Sequence, residues 1–470
     1  MHVGGVLVLG GRVPAETVVR RIEERIHLIP HYRMRLVETP GGLVNPVWEE
    51  DPAFDVRRHV HVRPWPEPGG DDELCRVIGE EMSERLDRAL PLWEIVVIDS
   101  PSRGRTALLA KMHHALVDGI AAIGVGTVIM DPTPEPLDLP PPEGEPEQRQ
   151  RVWVDELARL MPQLSGQRRL ELIEPLIRRV PADLVPQPRT LQRVTTAQLD
   201  VPRRLARSAV ERARSLDPRT AHKRVGDGVG LIRDLARVRP AAPATRLNQE
   251  IGRNRLFALG RARLEDVKAV RRATGATVND VLLAAVALML SEYLGEDAPE
   301  TAVALVPVSV RTESHAGELG NRISTVFVDL PLRGEPLERL ASISAATKGV
   351  KGSAQVRAGA LIVGAAGLAP PLVSAFAARA MGAPRIFNLV VSNVPGPQQT
   401  FYLDGVPLRE VYPAVPLNPR NQALSIGILS YDGGVYCGLL ADRGALPDVA
   451  DAAKALESGV AKLVEASSVS

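Results

Sequence analysis

The residues of this 470-residue chain whose types and spacing could do chemistry stand together at His113-His114-Ala115-Leu116-Val117-Asp118-Gly119, an HHxxxDG pattern. A neutral imidazole is the side chain best matched to take a proton from a hydroxyl near pH 7, because its ordinary pKa lies close by. Two adjacent histidines at the end of a strand project to opposite sides of it, so one can face a crevice while the other packs inward. Asp118 is placed to hold the loop by pairing with an arginine elsewhere, or to fix a histidine tautomer, and both roles stay open. Gly119 before Ile120-Ala121-Ala122 suits a tight turn into a helix.

Elements on either side must position this heptad. Residues 106–112 are an apolar run after the turn Pro101-Ser102-Arg103-Gly104 and read as a largely buried strand. The stretch 94–98, entered through Pro91-Leu92-Trp93, should pair with it as a hairpin. Upstream, 3–9 reads as a strand, 14–27 as a helix with Pro14 in its first turn, 30–38 and 44–48 as strands, and 71–87 as a helix. Residues 54–62 alternate as an edge strand does, which places His59 and His61 on one face, a two-ligand geometry with no third ligand in view, so that a solvated face is the favoured reading.

Composition limits the class. With 45% hydrophobic and 24% charged residues and a net charge of +1, the chain fits a soluble globular protein of two to four domains, and nothing global argues for nucleic acid. Cys75 and Cys437 lie far apart without a metal-binding or redox spacing, which suits a reducing compartment and inert buried thiols. No HExxH stands in the sequence, so no metal is expected. No GxSxG elbow stands there either. The start lacks the basic segment and long apolar run of a signal peptide. The uncharged stretch 358–378 is long enough to span a bilayer, but Pro370-Pro371 interrupts it, and it reads as two short helices, buried or lying at a membrane surface.

The chain divides on composition into three parts. Residues 1–131 carry the heptad. Residues 132–245 begin with a proline-rich acidic linker and continue as a basic crossover, with 19 Lys and Arg against 10 Asp and Glu over 151–240. Amphipathic helices there suit an anionic lipid surface, the phosphates of CoA, or simple solvation between two domains. Residues 246–470 form a second globular part. In it, helix 263–274 stops near Gly275, Thr277-Val278-Asn279-Asp280 caps the apolar helix 281–294, and strands follow at 302–310 and 323–330. Helix 336–350, strand 386–392, a turn at 393–397, strands near 401–411, 423–430 and 435–440, and a closing helix 448–465 complete it.

The heptad resembles the active-site motif of the CoA-dependent acyltransferase superfamily, which includes chloramphenicol acetyltransferase and peptide-synthetase condensation domains. Leu86-Asp87, Pro91-Leu92-Trp93, Asn279-Asp280-Val281, Gly320-Asn321 and Ser392-Asn393-Val394-Pro395-Gly396-Pro397 stand in the order found in one branch, the bacterial wax ester synthase/diacylglycerol acyltransferase family. That resemblance covers essentially the whole chain. It implies an α/β fold of two chloramphenicol-acetyltransferase-like domains, each a mixed sheet flanked by helices, with the active-site tunnel between them.

The activity implied is transfer of a long-chain acyl group from acyl-CoA, as substrate and without a cofactor, to diacylglycerol or a fatty alcohol. The implied setting is cytoplasmic, peripheral to the inner membrane face or lipid droplets. In that reading His114 is the general base, His113 a supporting residue, and Asp118 with Gly119 structural. Asn279, Ser392 and Asn393, beside Asp280, are candidates for cradling the oxyanion or substrate. For Asn279 the competing role is a helix cap, and for Asn393 a turn. Pro91, Leu92, Trp93, Gly320 and Asn321 shape the site. Members of that family carry some tens of residues before the strand that starts here at Val3, which bears on the completeness of the substrate channel. Two other readings remain: a condensation-type enzyme with a carrier-protein donor, and a non-catalytic lipid-binding relative.

Overall fold

A near-continuous apolar run starts the fold at once. In the computed structural model, which describes residues 2–37, 46–116, 129–137, 241–309, 323–350, 386–418 and 422–468, strand β1 spans His2–Leu9. Helix α1 (Ala15–Arg25) follows, with Val18, Val19 and Ile22 as its buried stripe. The short strands β2 (Met34–Val37) and β3 (Val47–Glu50) pair with each other. Pro30 opens a 3-10 turn over Pro30–Arg33, so the strand expected from residue 30 starts only at Met34. Likewise Val56–Arg58 is a 3-10 turn, and the expected edge strand is β4, Val60–Pro64.

Helix α2 (Asp71–Ser83) begins with Asp71, Asp72 and Glu73, whose charge suits the positive end of the helix. It ends short of residue 87 because Glu84 is extended. Strands β5 (Trp93–Ser100) and β6 (Arg105–His113) form the expected hairpin, with Trp93 opposite Met112.

The second part opens with β7 (Arg255–Arg263) and α3 (Leu264–Thr274). Gly275, at φ 69°, takes the left-handed conformation that ends α3, which a side chain would disfavour. Helix α4 (Val278–Leu294) is apolar on nearly every face, as a helix buried all round must be. Stretch 278–297 is long and apolar enough to cross a bilayer, but it is mostly buried, packed on α5 (Pro336–Val350) and α6 (Val449–Ser468). The approach to α6 is close: a Cβ on Gly459 would lie 2.8 Å from the carbonyl oxygen of Ala285.

Strands β8 (Thr301–Ser309), β9 (Ile323–Pro331), β10 (Leu389–Pro395), β11 (Tyr402–Leu403), β12 (Val406–Ala414), β13 (Leu424–Tyr431) and β14 (Gly434–Asp442) complete two six-stranded sheets. The first runs β11-β12-β1-β6-β5-β4 and the second β7-β14-β13-β10-β8-β9. Both are mixed: β4 lies parallel to β5, and β10 parallel to β13 and β8. The partition expected at residue 246 gave 402–414 to the second part, whereas β11 and β12 belong to the first sheet, β12 pairing with β1. The linker and crossover from 138 to 240 and the uncharged stretch 358–378 lie outside the described residues.

One face of the first sheet packs on α1. Its other face packs on α2, Phe257 of β7 and Leu440 of β14, so α2 lies between the sheets. Arg261 of β7 ties this junction, donating to Asp71 on α2 at 2.7 Å and to Glu410 on β12 at 2.9 Å.

Candidate active site

The hairpin carries the histidines to the end of β6. His113 is half-buried, and its backbone N–H donates to the Leu92 carbonyl at 2.9 Å. Its ring Nδ1 accepts the Ala115 backbone N–H at 3.1 Å. A neutral imidazole with Nδ1 accepting must carry its proton on Nε2. Burial, with nearby positive charge adding, pushes the His113 pKa down, so that neutral form persists at pH 7. His113 is therefore held as a donor at Nε2. His114 sits one residue on, exposed, in the turn 114–116. Asp118, Gly119, Gly320 and Asn321 lie outside the described residues.

The Pro-Leu-Trp stretch is the frame for this turn. Leu92 supplies the carbonyl that holds His113, and Pro91 bridges to Arg35. The Trp93 indole donates to the Tyr32 carbonyl at 2.7 Å. His59 stacks on that indole, ring centroids 4.3 Å apart, while its Nδ1 lies 2.8 Å from the Trp93 carbonyl. His59 is buried, and burial lowers its pKa. His61 is exposed, so the two do not form a pair of ligands. Among the described residues no cluster of three His, Cys, Asp or Glu side chains could hold a metal ion. Burial pushes both thiols, Cys75 and Cys437, up to about 12, which leaves them protonated and poor nucleophiles.

From the second part, Asn279 and Asn393 meet: the Asn393 amide donates to the Asn279 side-chain carbonyl at 3.1 Å. Asn279 is not the cap of α4. Thr277 is, with its hydroxyl accepting the Asp280 N–H at 3.2 Å. Asp280, expected beside the substrate, is buried with both oxygens engaged. One accepts the Thr277 N–H at 2.9 Å and the other the Thr347 hydroxyl at 2.7 Å. Its role is to start the helix. Asn393 is not a turn residue, because β10 runs on to Pro395 in parallel register with β13.

Between these parts lies a cavity of about 140 Å³. Met112 and Trp93 wall it at the end of the hairpin, Ile22, Ile26 and Ile29 on the α1 side, and Ser392, Val394 and Leu429 on the second sheet. Met112 is two residues before His114, and Ser392 is next to Asn393. The cavity thus runs from the histidine strand to the strand bearing the amide pair. Ile129 and Met130 close another wall, and the next residue explains how they are held. Asp131 is fully buried and accepts from both Arg21 and Arg25 of α1. Arg25 donates also to the carbonyls of Met130 at 3.1 Å and Leu137 at 2.8 Å. Neither this clamp nor the His59–Trp93 stack is marked by a motif, though the pair Arg21 and Arg25, on one helix face, is a visible signal.

Comparison with known proteins settles the family. Residues 1–282 match the wax ester synthase/diacylglycerol acyltransferase catalytic domain, and residues 319–463 the C-terminal domain of the same family. The chain belongs to the wax ester synthase/diacylglycerol acyltransferase family. A Mycobacterium tuberculosis protein named a diacylglycerol O-acyltransferase is 31% identical over 399 residues, 81% of this chain and 74% of its own. Another from that organism, tgs1, is 29% identical over 475 residues, 99% of this chain and 91% of its own. The wax ester synthase/diacylglycerol acyltransferase of Marinobacter aquaeolei VT8 superposes with a TM-score of 0.65 at 25% identity, covering 100% of this chain and 95% of that one. The starter condensation domain of rhizomide synthetase, at 13% identity and a TM-score of 0.50 over 100% of this chain and 88% of its own, shares the fold. This acyltransferase therefore has the expected α/β architecture.

Proposed function

We propose that this acyltransferase moves a long-chain acyl group from acyl-CoA to the hydroxyl of diacylglycerol or of a long-chain alcohol, within a ternary complex and without a cofactor. The observation that carries the reading is the apolar cavity joining the end of β6 to Ser392 on β10. A hydrocarbon chain of acyl-CoA, diacylglycerol or alcohol matches such a lining, and each methylene taken from water contributes about 0.8 kcal/mol.

A thioester is already activated, so no covalent enzyme intermediate is needed. His114 takes the proton of the acceptor hydroxyl as its oxygen attacks the thioester carbonyl. The tetrahedral oxyanion receives donors, with the side-chain amide of Asn279 and the hydroxyl of Ser392 as candidates. Such donors are worth roughly 3–4 kcal/mol in the transition state. Collapse expels the CoA thiolate, which takes a proton back from His114. His113, with its Nδ1 committed to Ala115, positions the turn. Peripheral attachment to an anionic membrane or droplet surface fits the basic crossover 151–240.

The test is release of free CoA thiol from palmitoyl-CoA, with hexadecanol or a diacylglycerol supplied separately and His114→Ala run beside the wild type. Acceptor-dependent release that the variant loses supports the reading and ranks the acceptors. Folded wild type that releases nothing with either acceptor, but accepts an acyl group from a carrier protein, would overturn it.

A further inference from the structure

The cavity has one wall position with no structural reason to lack a side chain. Gly5 lies on β1 between Val3 and Leu7, on the face that looks into the cavity, and it lines the cavity itself. Its neighbours across the sheet are Ala110 on β6 and Pro413 on β12, which also line it. Other glycines in this region are fixed by close packing. A Cβ at Gly4 would lie 2.6 Å from the Ala110 carbonyl oxygen, and one at Gly438 2.1 Å from that of Pro413. A Cβ at Gly5 would meet nothing nearer than the Tyr412 carbonyl oxygen, at 4.0 Å. Nor does the backbone require glycine there, since Gly5 is not among the residues of positive φ. A glycine inside a strand weakens it and leaves a place where something approaches closely. The space left at Gly5 is cavity.

We propose that Gly5, with Ala110 beside it, sets how long a hydrocarbon chain the cavity accepts. This rests on the acyl-transfer reading for the identity of the ligand, a chain belonging either to the acyl donor or to the acceptor. A side chain at position 5 fills volume that the methylenes of a long chain occupy, and a shorter chain does not reach it. Valine, with three more carbons, displaces two or three methylenes. Each methylene displaced is about fourfold in binding, so the preference for a long over a short chain falls on the order of tenfold or more.

The experiment is displacement of cis-parinaric acid from wild type, Gly5→Val and Gly5→Ala. Two series are used: palmitoyl-CoA against decanoyl-CoA, and hexadecanol against decanol. Circular dichroism confirms folding. Gly5→Val is expected to lower the long-to-short affinity ratio by at least tenfold in one series, with Gly5→Ala falling between it and wild type. The series that responds says which chain lies in the cavity. Ala110→Val gives the same reading from the neighbouring strand should valine at position 5 fail to fold. Unchanged ratios in both series in folded variants overturn the proposal. Wild type that shows chain-length-dependent displacement but no acyl transfer would fail the activity and leave the role of Gly5 standing.

Discussion

Replacing each histidine of the pair in two ways separates a base from a positioning residue. At His113 the structure specifies which interaction alanine removes: Nδ1 accepts one backbone N–H, from Ala115, at 3.1 Å in a half-buried turn. A hydrogen bond of this kind contributes about 1 kcal/mol net. His113→Ala should therefore lower kcat/KM by about fivefold, the equivalent of that energy. His113→Asn, whose side-chain oxygen can accept the same N–H, should recover most of it. If His114 is the base, as proposed, alanine there removes the proton acceptor itself, a change commonly of 10²–10⁴-fold. No rescue by asparagine is expected there, because an amide does not take up a proton near neutral pH. The assay is thiol release from palmitoyl-CoA at saturating acceptor, with kcat and KM resolved for all four variants. The reasoning is refuted if His113→Asn falls as far as His114→Ala, since the Nδ1 hydrogen bond would then not be what His113 supplies.

Other consequences follow from groups the fold buries. Asp131→Asn leaves the guanidiniums of Arg21 and Arg25 buried without their carboxylate, which should cost about 3–5 kcal/mol in denaturant unfolding; breaking the exposed Arg272–Glu265 pair by Arg272→Ala should cost under about 1 kcal/mol. Burial lowers the pKa values of His27, His59 and His113, and of His2 to about 3. The unfolded chain thus binds protons on these rings before the folded one does. Stability should be full above the unfolded histidine pKa, near 6.5, and fall as pH drops below it. Tm measured between pH 7.5 and 5 should show this decline, and less of it in His59→Gln; an equal slope in both proteins would mean that His59 does not contribute.

What the sequence makes legible is whatever local chemistry decides. The hairpin at 94–112 follows from two apolar runs around a Gly-containing turn. The end of α3 follows from Gly275 and the start of α4 from the capping run 277–280, and the heptad stands out because a polar interruption between two apolar runs is conspicuous. Sequence and structure part where a long-range partner overrides a local signal. Asn393-Val394-Pro395 looks like a turn, yet β13 supplies a parallel neighbour that keeps it extended. Asn279 looks like a cap, yet Thr277 two residues earlier takes that place. Asp280 sits in a motif associated with substrate but spends both oxygens within the fold. His59 reads as one of a solvated pair, although the Trp93 ring covers it.

The assignment of 402–414 shows the same limit at the scale of the whole chain. Nothing local in Val406–Ala414 says that it should pair with β1, some four hundred residues earlier; an edge left open by β1 and the twist of the sheet decide that. The consequence is functional. Because β1 has β12 on one side and β6 on the other, the wall at Gly5 is assembled from the chain's start, its histidine strand and a segment near its end. The cavity cannot form until all three are in place. A chain pocket built this way excludes water only in the complete fold, which also sets Ser392 in its wall, next in sequence to the Asn393 that meets Asn279. Binding and chemistry are thereby made to depend on one assembly, which is what transfer from a water-sensitive thioester to a greasy alcohol requires.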